Sequence, residues 1–181
     1  MVEQLSFQIE SGGSIPTSPL QFIVKPIDIK TAVELNKKWH SRLPDIRNWF
    51  SCKIAYGAFY DNCCWAVALW GRPVARVFNG KPVLELRRMA IKDGSPKYTA
   101  SRMLSLMVKD IKKRFPVITR LISYQDTEVH KGTIYKASNW FIGHITKSNT
   151  IRWGKLNKDG TGRKRNAIVA TGDKIRWEYT L

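Results

Sequence analysis

The sequence has few of the features that mark several protein classes. It holds three cysteines, Cys52, Cys63 and Cys64, and none of them is spaced as a CxxC pair. An odd count without that spacing predicts neither a disulfide framework nor a zinc site, and favours free thiols in a reducing compartment. No run approaches the roughly 20 apolar residues of a membrane-spanning helix. The first ten residues also lack the pattern of a secretory signal. We therefore expect a cytoplasmic protein with no membrane segment.

Acidic residues are also scarce. Only 14 Asp and Glu stand against 31 Lys and Arg, which leaves a formal net charge of +17. The chain is nevertheless 43% hydrophobic and 11% aromatic, a composition typical of a folded domain and not of a disordered basic tail. A folded domain this basic predicts a polyanionic partner. Nucleic acid is the leading candidate, and an anionic membrane or an acidic protein is the alternative.

Turn residues and apolar periodicity predict a single mixed α/β domain over 1–181, with an N-terminal extension at 1–20 and a basic β region at 147–181. The predicted strands cover 21–27, 52–61, 63–71, 83–93, 119–126, 141–147, 151–156, 166–171 and 174–180; the predicted helices cover 28–43, 45–50, 99–115 and 132–140. The turn pair Asp61-Asn62 predicts a hairpin. A phase slip in the apolar alternation near Arg87 and Arg88 predicts a β-bulge.

This order of elements resembles the GNAT N-acetyltransferase superfamily, which implies a mixed, mostly antiparallel central sheet flanked by helices. In that superfamily the loop before the long helix usually carries Gln/Arg-x-x-Gly-x-Gly/Ala, which binds the pyrophosphate of acyl-coenzyme A. Here the loop has one glycine, Gly94, and the motif is absent. Lys97, Thr99 and Ser101 can still hold an anion at the start of the helix. The alternative is an ordinary N-cap formed by Thr99 or Ser101.

The most informative local pattern is Tyr124-Gln125-Asp126 followed by Gly-Thr-Ile-Tyr at 132–135. It follows a predicted strand, and sites of α/β proteins form at the carboxyl ends of strands. Asp126 can accept a proton or orient an amine, and Tyr124 and Tyr135 can donate to a developing anion or stack on a base. The alternative is structural: Asp126 caps the next turn, while Tyr135 and Trp140 pack in the core.

Residues 124–140, YQDTEVHKGTIYKASNW, resemble the signature of the Mom family of phage DNA-modification proteins. The similarity extends to 85–107 and to NKKWHSRLP at 36–44. The resemblance implies an acetyltransferase-like fold without the usual coenzyme A signature. It also implies an enzyme that converts adenine in double-stranded DNA to an N6-modified, methylcarbamoyl (acetamido) form and so protects phage DNA from restriction in the host cytoplasm.

Within this resemblance we assign Asp126, Tyr124 and Tyr135 to catalysis, and Arg88 to cofactor or anion binding with Ser101, Thr99 and Lys97. His40 is the candidate for a second acid–base group or a metal ligand, although a lone histidine is commonly structural. His40, Asp126 and His130 have no diagnostic ligand spacing, so a metal stays open. The donor of the added group also stays open, with an acyl-coenzyme A type among the candidates.

A basic, glycine-containing segment at 147–165 predicts contact with the DNA backbone. Its candidate residues are Lys147, Arg152, Lys155, Arg163, Lys164 and Arg165. A solvated basic hairpin is the alternative. Two rival functions also remain: an acyl-coenzyme A-dependent N-acetyltransferase of a protein or small amine, and a non-catalytic DNA-binding module. The oligomeric state is open, with a dimer among the alternatives.

Overall fold

The computed structural model describes residues 14–40, 44–46, 49–147 and 173–181. In this part of the chain seven strands form one sheet in the order β1-β2-β3-β4-β5-β7-β6. The strands are β1 (Ile23–Ile27), β2 (Cys52–Tyr60), β3 (Cys63–Gly71), β4 (Val83–Ile91), β5 (Arg120–Asp126), β6 (Phe141–Thr146) and β7 (Lys174–Thr180). The helices are α1 (Ile29–Trp39), α2 (Thr99–Arg114) and α3 (Thr133–Lys136), with single 3₁₀ turns at Pro19–Gln21, Trp49–Ser51 and Arg76–Phe78.

The sheet confirms the predicted mixed, mostly antiparallel architecture. Of the strand pairs in the described residues, β4 and β5 alone run parallel. The predicted hairpin joins β2 to β3, and Asp61 and Asn62 both adopt the positive φ angles that a tight hairpin turn requires (48° and 60°). The predicted bulge lies in β4, where the register with β3 skips Arg87.

The two long helices cover opposite faces of the sheet. On α2, the residues Met103, Leu104, Met107 and Ile111 are buried against a core that includes Trp70. Ala32 and Leu35 of α1 pack in a second core, which includes Val67, Leu69 and the buried thiols Cys52 and Cys64. These apolar faces follow the helical periodicity of the sequence and hold β3 and β4 between the helices.

Several predicted boundaries were wrong. The first helix was expected to reach residue 43, but it ends at Trp39. Pro44 disfavours helical backbone in the residue before it. The carbonyl of Pro44 also accepts a hydrogen bond from Asn36 Nδ2 at 2.9 Å. The helix expected over 45–50 is only the turn Trp49–Ser51 in the described residues. The helix expected over 132–140 shortens to α3, since Asn139 adopts a positive φ.

The C-terminal strands are in part confirmed. The strand expected over 174–180 is β7, and it inserts between β5 and β6. The strands expected over 151–156 and 166–171 lie outside the described residues. No helix in the described ranges is long and apolar enough to cross a membrane.

Candidate active site

The parallel strands β4 and β5 separate part of the way along their length. Their register ends at the pair Leu86 and Ser123. Beyond that pair, residues 88–91 stay bonded to β3 and residues 124–126 stay bonded to β7. A cavity of about 750 Å³ lies in this fork. Because the fork breaks the sheet, polar groups of both strands face the cavity.

The fork brings together five residues singled out in the sequence. His40, Arg88, Tyr124, Asp126 and Tyr135 all line the cavity. Arg88 projects from β4, the Tyr124–Asp126 segment ends β5, and Tyr135 belongs to α3. His40 is the C-cap residue of α1. The topology therefore places the predicted catalytic residues at one site, while their individual roles stay predictions.

Asp126 has a structural task as well as a place in the cavity. Its Oδ1 atom accepts from the backbone N–H of Glu128 at 3.1 Å, and its carbonyl accepts from Val129 and His130. The turn-capping alternative is thus what the structure shows. Asp126 also lines the cavity, as does Lys174, its register partner on β7. The turn fixes the carboxylate direction, which is what an orienting group needs.

Tyr135 lines the cavity and is held mainly by packing of its ring. Its ring is 7% exposed and stacks on Trp177 with centroids 5.3 Å apart and planes 14° apart. Trp140 lies against it at 5.7 Å. The hydroxyl oxygen of Tyr135 is 2.8 Å from Ser123 Oγ, and burial raises the pKa of the phenol. The packing alternative holds for the ring, so any chemical role depends on its neutral hydroxyl group.

The two remaining predicted acid–base groups have shifted titrations. Burial lowers the pKa of His40, and the neighbouring Arg88 and His130 lower it further. The imidazole is therefore neutral near pH 7 and able to accept a proton. Burial raises the pKa of Tyr124, and Glu85 adds to this effect. Its phenol is accordingly protonated and available as a donor.

Arg88, on β4, contributes a guanidinium group to the cavity lining. Its Nη1 atom donates to the Arg87 carbonyl at 2.6 Å. Its Nε atom is buried and has no hydrogen-bond partner among the described residues. Burial lowers the pKa of this guanidinium, and the adjacent Arg87 adds to the effect. A guanidinium group in this lining suits an anionic or carbonyl group bound in the cavity.

Sequence reasoning assigned no role to two polar residues of β5. Ser123 bonds Tyr135, while Gln125 accepts from Trp177 Nε1 at 2.7 Å and donates through Nε2 to the His130 carbonyl. Both side chains are buried and line the cavity. The alternation of side chains along β5 offers a signal that could have identified them. Polar residues occupy both faces at the end of this strand, which indicates that neither face is simply packed into the core.

The first turn of α2 lies beside the cavity. Tyr98 occupies the N-cap position with φ 69° and makes no side-chain capping bond, so the expected N-cap by Thr99 or Ser101 is wrong. Their hydroxyls instead donate to the carbonyls of Pro96 (2.7 Å) and Tyr98 (3.1 Å). Thr99 and Ser101 line an adjoining cavity of about 340 Å³, which shares Ile91, Ala100, Thr133 and Ile134 with the first. Lys97 is exposed and lies outside both linings.

Comparison with models of known protein families gives a match. The family model of the Mom protein family matches residues 21–179. This chain belongs to the Mom protein family. The match covers the described sheet except for the last residue of β7, and it includes His40, Arg88, Tyr124, Asp126 and Tyr135. It confirms the resemblance seen in the signature at 124–140. No protein in the curated set matches the chain.

Solved structures confirm the fold of this Mom-family protein. It is similar to the ribosomal-protein-S18-alanine N-acetyltransferase of Escherichia coli, with a TM-score of 0.58 and 11% identity over 88% of this chain and 93% of the other. It is also similar to a GNAT family acetyltransferase from Elizabethkingia anophelis with acetyl-CoA bound (TM-score 0.58, 14% identity, 89% and 99% covered). Structural similarity at 11% and 14% sequence identity shows the fold alone.

The loop before α2 does not reproduce the usual coenzyme A cradle. Gly94, with φ +82°, is its one glycine, and the left-handed position at the helix start belongs to Tyr98, whose side chain is 73% exposed. Successive glycine amides are therefore missing where the Mom-family chain would meet a pyrophosphate. The described residues also hold no group of three or more His, Cys, Asp and Glu side chains that could ligate a metal.

The predicted backbone-binding segment lies almost wholly outside the described residues. Arg152, Lys155, Arg163, Lys164 and Arg165 fall there, and their contact with DNA stays a prediction. Lys147 is described. Its side chain is 85% exposed and pairs with Asp173 at 3.2 Å. An exposed pair of this kind contributes little to stability, so Lys147 can exchange Asp173 for a phosphate at small cost.

Proposed function

We propose that this protein is a DNA-modifying transferase that adds a methylcarbamoyl (acetamido) group to N6 of adenine in double-stranded DNA and thereby protects the DNA from restriction. The observation that carries the proposal is the fork between β4 and β5, where the signature residues of the family and His40 share one cavity. The protein would act in the cytoplasm of the bacterium that holds the DNA.

The cavity suits a single extruded base. A base inside a duplex is paired and stacked, so an enzyme that reacts at its N6 atom must first take it out of the helix. The volume of about 750 Å³ lies within the range of roughly 300–1,000 Å³ that small-molecule sites occupy. It therefore offers room for an adenine together with the reacting part of a donor.

The reaction requires three tasks at the N6 atom. N6 forms a bond to a carbon of the donor, the donor's leaving group departs with the electrons of the broken bond, and one N6 proton passes to a base. Neutral His40 is suited to accept that proton, since burial and Arg88 keep the pKa of the imidazole low. Asp126 is held by its turn and would orient the amine. Charge that develops on the donor would be met by Arg88 and by the hydroxyl of Tyr135.

A restriction assay tests the proposed function. Plasmid DNA from cells that express the protein should resist restriction enzymes whose recognition sites contain adenine. DNA from cells that express Asp126→Asn should be cut normally, because the variant keeps the turn acceptor and lacks the carboxylate charge. Equal cutting of both DNAs, with both proteins folded, would contradict the proposal.

A further inference from the structure

Two aromatic side chains are exposed in the turn that precedes β2. In the turn Trp49–Ser51, which leads into β2, Trp49 is 44% exposed and Phe50 is 71% exposed. Large aromatic side chains usually contribute most of their area to a core or an interface. Neither side chain belongs to the described cores of this protein. The pair is thus displayed on the surface.

Hydrogen bonds fix this turn to the cavity wall. Arg87 lines the cavity, and its Nη1 atom donates to Ser51 Oγ at 3.2 Å and to the Arg72 carbonyl at 3.2 Å. The backbone N–H of Arg72 donates in turn to the Ser51 carbonyl at 3.3 Å. One guanidinium group therefore joins the aromatic turn, the end of β3 and the fork. The turn that carries the two aromatic rings is thus bonded, through Ser51, to a residue of the cavity lining.

The surroundings of the turn favour a nucleic acid. Lys53 follows it on β2, Arg72 bonds it directly, and both residues are exposed. Aromatic rings flanked by cations suit DNA, because bases stack on the rings and phosphates pair with the cations. An apolar partner surface would leave those cations unpaired.

We propose that Trp49 and Phe50 form a stacking wedge that enters duplex DNA and holds the target adenine outside the helix. Phe50, the more exposed ring, fills the gap that the extruded base leaves, and Trp49 stacks beside it. This inference rests on the proposed function, since it takes duplex DNA as the substrate. Apolar wedges between base steps unstack and open a duplex in the same way.

The test uses purified full-length protein and a duplex in which 2-aminopurine replaces adenines of one strand. The fluorescence of 2-aminopurine rises when the base leaves the stack, so this readout needs no donor. Wild-type protein should raise the fluorescence. Phe50→Ala should lower the rise about tenfold at saturating protein, in line with the loss of one base–aromatic stack. Phe50→Trp should retain it, and pairing 2-aminopurine with an abasic site should restore the signal with Phe50→Ala.

Leu20→Ala is the matched control. Leu20 is 71% exposed, the same fraction as Phe50, and it precedes β1, whose Ile23 pairs with Phe59 at the far end of β2 from Cys52. This variant should behave as wild type. Full fluorescence with Phe50→Ala, or no rise with wild-type protein, would overturn the wedge. If Phe50→Ala also leaves adenine modification in cells unchanged, the wedge fails and the proposed function stands, whereas unmodified DNA with wild-type protein removes the proposed function itself.

Discussion

The phenolic oxygen of Tyr135 lies 2.8 Å from the hydroxyl oxygen of Ser123, at the point where β4 and β5 separate. Ser123 also donates toward the carbonyl of Leu86, its register partner on β4, at 3.4 Å. The hydroxyl of Tyr135 is therefore held at the apex of the fork by the last paired residues of the parallel strands. This contact connects the fold to the reaction that we propose.

Replacement of Tyr135 by phenylalanine should separate chemistry from packing. The phenyl ring keeps its stack on Trp177, so the loss of one hydrogen bond should reduce the free energy of unfolding by only about 1 kcal/mol. Adenine modification in cells should fall at least tenfold, since the proposed donor hydroxyl is gone. Chemical denaturation and nucleoside mass spectrometry measure the two effects. Unchanged modification would remove Tyr135 from the catalytic residues.

Two substitutions of Asp126 should differ in stability and agree in activity. In Asp126→Asn the side-chain oxygen can still accept from the N–H of Glu128, whereas Asp126→Ala loses that bond. We expect the alanine variant to unfold at a lower temperature than the asparagine variant, by roughly 1 kcal/mol in free energy. Both should lack modification while they bind DNA. A fully active Asp126→Asn protein would show that the carboxylate acts only in the turn.

The titration of His40 should depend on its cationic neighbour. Burial is the main reason why the pKa of His40 lies below 6.5, and Arg88 and His130 lower it further. Arg88→Gln should therefore raise this pKa, which NMR measures from the imidazole C–H shifts. His40 binds its proton less readily in the folded state than in the unfolded state. It thus destabilises the fold as pH falls below about 6.5. A pKa that does not change in Arg88→Gln would show that the charge of Arg88 does not act on the imidazole of His40.

The thiols should differ in reactivity. Burial raises the pKa of Cys64 to about 12 and also raises the pKa of Cys52, so neither thiol forms appreciable thiolate at pH 8. Cys63 is only partly buried. A thiol reagent should modify one cysteine in the native protein and all three after denaturation. Cys63→Ser should abolish the native reaction, and a reaction that persists in that variant would show a core more open than described.

The sequence predicted most of the fold because its signals are local. The apolar stripe of α2, the turn pair Asp61-Asn62 and the phase slip at Arg87 each indicate one structure within a few residues. The end of α1 was harder to predict. It involves a hydrogen bond from the side chain of Asn36 to the carbonyl of Pro44, and helical periodicity does not report such a bond.

The candidate site was partly predictable for a similar reason. Tyr124, Asp126 and Tyr135 belong to one contiguous signature, whereas His40 reaches them only through the packing of α1 on the sheet. The sequence pattern of β5 placed Asp126 at the end of that strand. The contact between Tyr135 and Ser123, by contrast, depends on where β4 and β5 separate. A change in pairing partners of this kind leaves no periodic signal in either strand.

Nucleoside mass spectrometry of DNA from cells that express the protein tests the central claim most directly. We predict an adenine deoxynucleoside with the added mass of the methylcarbamoyl (acetamido) group, present with wild-type protein and absent with Asp126→Asn. Unmodified adenine throughout, in cells that contain folded wild-type protein, would contradict the assignment of the fork as a DNA-modifying active site.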